Sequence, residues 1–166
     1  TKDLFHNAFP GGYIDHVNRV VQLALMQKNQ YIEMGGKIDF KDEELVFSAL
    51  FHDLGKVGEA GKPVYLPQDD KWRQDKLKEK FKINPELDFL TVPDRSLYTL
   101  QKYGIEVNLK EYLAIKCHDG LYEEANKPYF LSNNVDSKLR TNLVYILHTA
   151  DFLAAKIEYD LYSFKH

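Results

Sequence analysis

The chain reads as an all-α, single-domain helical bundle spanning residues 1–166, and three observations predict this. Apolar residues recur at three- and four-residue steps through nearly the whole sequence. No segment carries a convincing alternation of the kind a strand requires. No internal repeat, linker or low-complexity tract divides the chain, and 166 residues are enough to bury one core.

The elements follow in order. Tyr13, Val17, Val20, Val21, Ala24 and Leu25 share one helical face, giving a helix from Gly12 to about Met34 that Gly35-Gly36 stops. Asp42 starts a second, with Glu43 and Glu44 in its first turn, where the helix dipole favours acids. It ends at Leu54-Gly55, Gly55 suiting a C-terminal cap. From Lys56 to Asp70 the chain carries Gly58, Gly61, Pro63 and Pro67 without any period. That segment predicts a loop, placed to act as a lid over whatever the second helix presents at its end. A helix is expected over Lys71–Lys80 and a turn at Asn84-Pro85. Pro93-Asp94 opens a helix to about Tyr103, and another covers Leu109–His118. A loop with Gly120 and Pro128 follows, then a last long helix over Ser137–Tyr162.

Composition narrows the function classes. Hydrophobic content of 44% with 28% charged residues is ordinary for a soluble globular domain. Eleven Tyr and 10 Phe mean bulky packing or wide cavities between helices. A net charge of -3 without a long basic run weighs against non-specific wrapping of nucleic acid, yet leaves room for a small anionic ligand. The one cysteine, Cys117, excludes an internal disulfide, fits a core position and favours a reducing, cytoplasmic compartment. No apolar stretch approaches the ~20 residues of a membrane span, so no membrane association is expected, and no signal-peptide pattern occurs. The chain begins at Thr1 rather than Met, from which a few further N-terminal residues are expected.

The chemistry centres on His52-Asp53, adjacent metal-type ligands at the end of the apolar run Glu44–Phe51 and directly before Leu54-Gly55-Lys56. Three other residues sharpen it: His16, His118 and Asp151, each on its own apolar, helix-like segment. A lone histidine flanked by Val17 and Val20 would more often be an ordinary core residue. Asp151 reverses that reading. It lies inside Leu147–Ala155 with Leu147, Leu153 and Ala154 around it, and burying a carboxylate there costs several kcal/mol unless it is paired or metal-bound. His16, His52, Asp53 and Asp151 together offer two nitrogens and two oxygens, a borderline-to-hard divalent site with positions open to water and phosphate oxygens.

His16, then His52-Asp53, then Asp151, spread over a helical chain, resembles the HD-domain superfamily of metal-dependent phosphohydrolases. The resemblance runs from about His6 to Tyr159, and His52-Asp53-Leu54-Gly55-Lys56 matches the widespread form of the central motif. The stretch His6–His16 is similar to the start of that domain in bacterial 3'-to-5' exoribonucleases. The resemblance implies a helical bundle of the HD type. In it His16, His52, Asp53 and Asp151 hold one divalent ion, and Asp53 orients or deprotonates the attacking water. Mn, Mg, Co, Ni, Fe and Zn are not distinguished by this ligand set.

Departures bear on the subtype. Lys56 stands where HD 5'-deoxynucleotidases carry a catalytic glutamate. The tandem histidines and Gly-Tyr-Pro motif of the cyclic-dinucleotide class are absent, which favours one metal, with a second, weaker site through His118. Lys56 is expected to contact non-bridging phosphate oxygens, with Arg95 and Lys116 as weaker substrate-binding candidates. Pro93–Tyr98 resembles the substrate-side helix start of HD relatives, where Asp94 serves equally well as an N-cap. The resemblance places His118 toward bound phosphate or a second metal, where it could protonate the leaving oxygen. Tyr65, Trp72, Tyr122 and Tyr129 lie in or near the two loops that could frame the pocket.

Phosphate-binding glycine loops, dinucleotide turns, serine elbows and zinc-type cysteine pairs do not occur. The leading expectation is a cytoplasmic hydrolase of a small nucleotide, compatible with a homo-oligomer. The competing ones are a 3'-end exonuclease-like phosphodiesterase, which the acidic charge disfavours, and a non-catalytic nucleotide-binding module, which the intact ligand set disfavours.

Overall fold

A computed structural model describes Asn7 and residues 9–163, with the backbone alone at 162 and 163. His6 and Ala8 of the His6–His16 stretch lie outside the described residues. Helices dominate: α1 (Gly12–Glu33), α2 (Asp42–Phe51), α3 (Lys71–Leu77), α4 (Val92–Lys102), α5 (Leu109–Cys117), α6 (Lys127–Leu131) and α7 (Leu143–Ser163). Short 3₁₀ turns occupy Leu54–Lys56, Gly120–Tyr122 and Glu124–Asn126.

Local chemistry explains most of the boundaries. Asn108 accepts from the Lys110 and Glu111 amides at 2.9 and 3.0 Å, and Glu111 returns a bond to the Asn108 amide at 2.9 Å, a complete capping box for α5. Thr91 caps α4 through the Asp94 amide, and Asp70 caps α3 through that of Arg73. In α2 only half of such a box exists: the Glu44 carboxylate accepts from the Lys41 amide at 2.7 Å, and a lysine side chain cannot accept in return.

α1, α2, α5 and α7 pack in a ring, α1 and α5 each touching both α2 and α7. The core where they meet is built from Val20, Leu45, Leu143 and Leu147, interleaved with Ala24, Ala49, Ala114, Ala150 and Ala154, all fully buried. Those small side chains let the helix axes approach closely, which brings the polar residues of four elements within reach of one another. α4 packs on α5 and on the 3₁₀ turn after α2.

Two departures from the sequence expectation matter. Two small antiparallel sheets exist: β1 (Gly58–Glu59) pairs with β2 (Lys62–Pro63), and β3 (Tyr65–Pro67) with β4 (Phe81–Ile83). Strands of two or three residues are too short to display a period of two, so they are invisible to pattern reading. The last helix also begins at Leu143 instead of Ser137. The preceding residues are engaged elsewhere: the Thr141 hydroxyl and the Asn142 amide both donate to Asp39 Oδ1, at 3.2 and 3.1 Å. Among the described residues no helix is long and apolar enough to cross a membrane.

Candidate metal centre

The His52-Asp53 turn is held from outside by one hydroxyl. Buried Ser96 of α4 accepts from the Gly55 amide at 2.8 Å and lies 2.9 Å from the His52 carbonyl oxygen. Gly55 is required there by proximity, because a Cβ would stand 2.2 Å from the Val92 carbonyl oxygen. The chain leaves α2 through this clamp with both His52 and Asp53 pointing inward and buried.

Three imidazoles converge on two carboxylates. His16 Nε2 is 3.1 Å from Asp151 Oδ1 and 3.5 Å from Asp53 Oδ2. His52 Nε2 is 3.6 Å from each of the same two oxygens, and His118 Nε2 is 3.5 Å from Asp53 Oδ1. Donors that share an ion at about 2.0–2.2 Å stand about 3–3.5 Å apart, so these separations suit a common centre. Buried His16, His52, Asp53 and His118, with Asp151 half-buried beside them, could hold a metal ion.

The far side of each ring fixes which nitrogen faces the centre. His52 Nδ1 is 2.8 Å from the Ala49 carbonyl, and His118 Nδ1 is 2.8 Å from that of Ile115. A carbonyl only accepts, so both Nδ1 atoms carry hydrogens and each ring turns its Nε2 to the centre. His52 Nε2 is buried with no hydrogen-bond partner, the condition of a ligand atom. His16 Nδ1 meets both oxygens of Glu158, at 3.0 and 3.1 Å. Arg19 in turn joins Glu158 at 2.6 Å and Asp15 at 3.0 Å. A carboxylate behind an imidazole is the usual support of a metal-binding histidine.

Without a cation the cluster balances its charge with protons. Burial works against the charged forms of His16 and His118. The facing carboxylates outweigh it, those of Asp151 and Glu158 at His16 and that of Asp53 at His118, and raise both imidazoles to about 9. Burial likewise opposes ionisation of Asp53 and Asp151, but the histidines around them, and Lys56 at Asp53, hold both well below the usual carboxylate range. Lys56 Nζ bonds Asp53 Oδ2 directly, and that carboxylate raises the lysine pKa against the effect of burial. Any cation entering the site competes with these protons.

Asp53, Lys56, His118 and Asp151 all open onto one cavity of about 650 Å³. Its walls differ from the expectation. The Lys56–Asp70 segment contributes only Lys56, since its remainder is taken up in the two small sheets. The covering residues are Phe89–Pro93, before and at the start of α4, and Asp119, Tyr122 and Glu123 after α5. Of the four aromatic candidates only Tyr122 lines the cavity; Tyr65, Trp72 and Tyr129 do not.

Arg95 and Lys116 are also kept from it. The Arg95 guanidinium is buried, 3.0 Å from Glu59 and bonded to the Asp88 carbonyl, where it fastens β1 to α4. Lys116 pairs with Asp94 at 2.5 Å. Leu153, expected beside Asp151 in the interior, faces outward at 41% exposure. Cys117 is buried, and burial raises its thiol to about 11, as suits an inert core residue. Glu158 and Ser96 were not singled out by sequence reasoning. Glu158 had a usable signal, for it lies two helical turns past Asp151 on the same face.

No protein-family model, curated protein or solved structure matches the chain. The fold and the site therefore define a mostly helical protein with a buried His/Asp cluster that could bind a metal.

Proposed function

We infer that this chain is a metal-dependent phosphohydrolase of the HD-domain type, acting on a phosphate ester or anhydride of a small nucleotide. The observation that carries this reading is the convergence of three Nε2 atoms on Asp53 and Asp151 at 3.1–3.6 Å, at the inner end of a cavity. That arrangement is compatible with the ligand order His16, His52-Asp53, Asp151 of the HD resemblance.

In this reading His16, His52, Asp53 and Asp151 hold one divalent cation, and His118 stands beside them. The cation, when bound, supplies a Lewis acid for a phosphoryl oxygen and lowers the pKa of water. Asp53 orients the attacking water and takes its proton. Lys56, already at Asp53 and on the cavity edge, reaches the non-bridging phosphate oxygens as charge builds on them. As the bond from phosphorus to the leaving oxygen breaks, that oxygen takes a proton from His118, whose ring is fixed by Ile115.

The test is a phosphate-release screen of mono-, tri- and cyclic nucleotides and short RNA, with Mn, Mg, Co, Ni and Fe added separately. Metal-dependent turnover of a nucleotide is expected, abolished in Asp53→Ala with helical content unchanged by circular dichroism. Failure of every metal and nucleotide, or equal turnover by Asp53→Ala, refutes the reading.

A further inference from the structure

The cavity has a second chemical character that metal chemistry does not require. One wall is a single face of α7: from Asp151 at the cluster, Phe152, Ala155, Lys156 and Tyr159 lead outward. The eight steps from 151 to 159 cover about 12 Å of helix. Tyr122 lies nearly parallel to Phe152, with ring centroids 6.2 Å apart and an interplanar angle of 18°. The Lys156 ammonium stands 5.2 Å from the Phe152 centroid, a cation–π contact at the edge of this pair. Tyr122 is 80% exposed and Phe89, which also lines the cavity, 91% exposed, so neither ring is explained by core packing. Ala155, on the same α7 face, lines the cavity with a single methyl group.

We propose that Tyr122 and Phe152 form a stacking platform for the base of a nucleoside monophosphate whose phosphate lies at the His/Asp cluster. This rests on the phosphohydrolase reading and adds which part of the substrate selects it. Aromatic faces attract any base, because every base has a π face. The charges favour one phosphate: among the described residues that line the cavity the lysines are Lys56, already bonded to Asp53, and Lys156, and Asp119 and Glu123 share the same space, leaving little surplus positive charge for a polyphosphate.

Calorimetry with Mn²⁺ present and hydrolysis-resistant 5'-phosphonate isosteres of adenosine monophosphate and ribose 5-phosphate separates stacking from turnover. The nucleotide isostere is expected to bind roughly 5- to 150-fold more tightly than the baseless one. Tyr122→Ala and Phe152→Ala should each remove most of that ratio, and Tyr122→Phe should keep it. Equal affinity for the two isosteres in the unaltered protein, or a ratio untouched by both alanine variants, overturns the platform. A ratio that is lost in Tyr122→Ala, in a protein releasing no phosphate from any nucleotide, supports the platform and removes the hydrolase reading instead. A short single-stranded RNA forms the third arm. Tighter binding that depends on Tyr122 supports stacking with a strand end as the source of the base, whereas tight binding indifferent to Tyr122 overturns it.

Discussion

Glu158 grips His16 Nδ1 with both carboxylate oxygens, at 3.0 and 3.1 Å, from a position fully buried in the bundle. The grip sets the ring so that its other nitrogen meets Asp151, seven residues earlier on the same helix. Glu158→Gln should therefore weaken divalent-metal binding by about 10- to 100-fold, as loss of a supporting carboxylate usually does. Titration calorimetry checks this. An unchanged dissociation constant would reduce Glu158 to a partner of Arg19.

Acidity should tune both stability and metal binding. With folded pKa values of about 9 against an ordinary 6.5, His16 and His118 contribute stability that is fully present below pH 6.5 and lost as pH rises through about 9. Asp53 and Asp151, held below the ordinary 3.8, contribute stability present above that value and lost on acidification. Protein kept in chelator should thus show a lower urea midpoint at pH 9.5 than at pH 6. Metal affinity should move the other way, rising with pH to about 9, since the same protons must leave. Flat behaviour in both experiments would mean that neither histidine faces its carboxylates in solution.

Lys56→Ala is expected to lower kcat by roughly 10- to 1,000-fold, the range for removing one electrostatic donor from a transition state. Metal affinity should not fall, because the variant removes a cation that occupies Asp53 Oδ2. Turnover at the unaltered rate would leave Lys56 as a structural partner of Asp53.

Gly55→Ala probes the clamp behind the cluster. Its Cβ would meet the Val92 carbonyl oxygen at 2.2 Å, and backbone atoms cannot swing aside as a flexible side chain does. A loss of about 1–3 kcal/mol, or roughly 2–12 °C in Tm, is expected, with weaker metal binding because Asp53 is only two residues away. A thermal melt and metal affinity matching the unaltered protein would show that the turn relaxes freely.

Helical identity and the types of ligand were legible locally. Apolar spacing marked α1 and α2 to within a few residues, and an acid amid the leucines and alanines of α7 marked Asp151. The roles of the cations were not legible in that way. Lys56, Arg95 and Lys116 look alike as sequence, each a long cation beside a helix boundary. Only packing shows that Arg95 fastens Glu59 and Lys116 pairs with Asp94, while Lys56 alone reaches the cavity.

By itself the sequence determined that the chain is mostly helical and that His16, His52, Asp53 and Asp151 are candidate metal ligands, because periodicity and the cost of burying charge are properties of short segments. Tertiary structure decided that His118 joins them, that Glu158 stands behind His16, and that α4 and the turn after α5, instead of the Lys56–Asp70 segment, wall the cavity. His16 and Glu158 lie 142 residues apart, and no local pattern encodes the closeness of two side chains so separated. That distance closes only when the alanines between α1, α2, α5 and α7 let the helices meet.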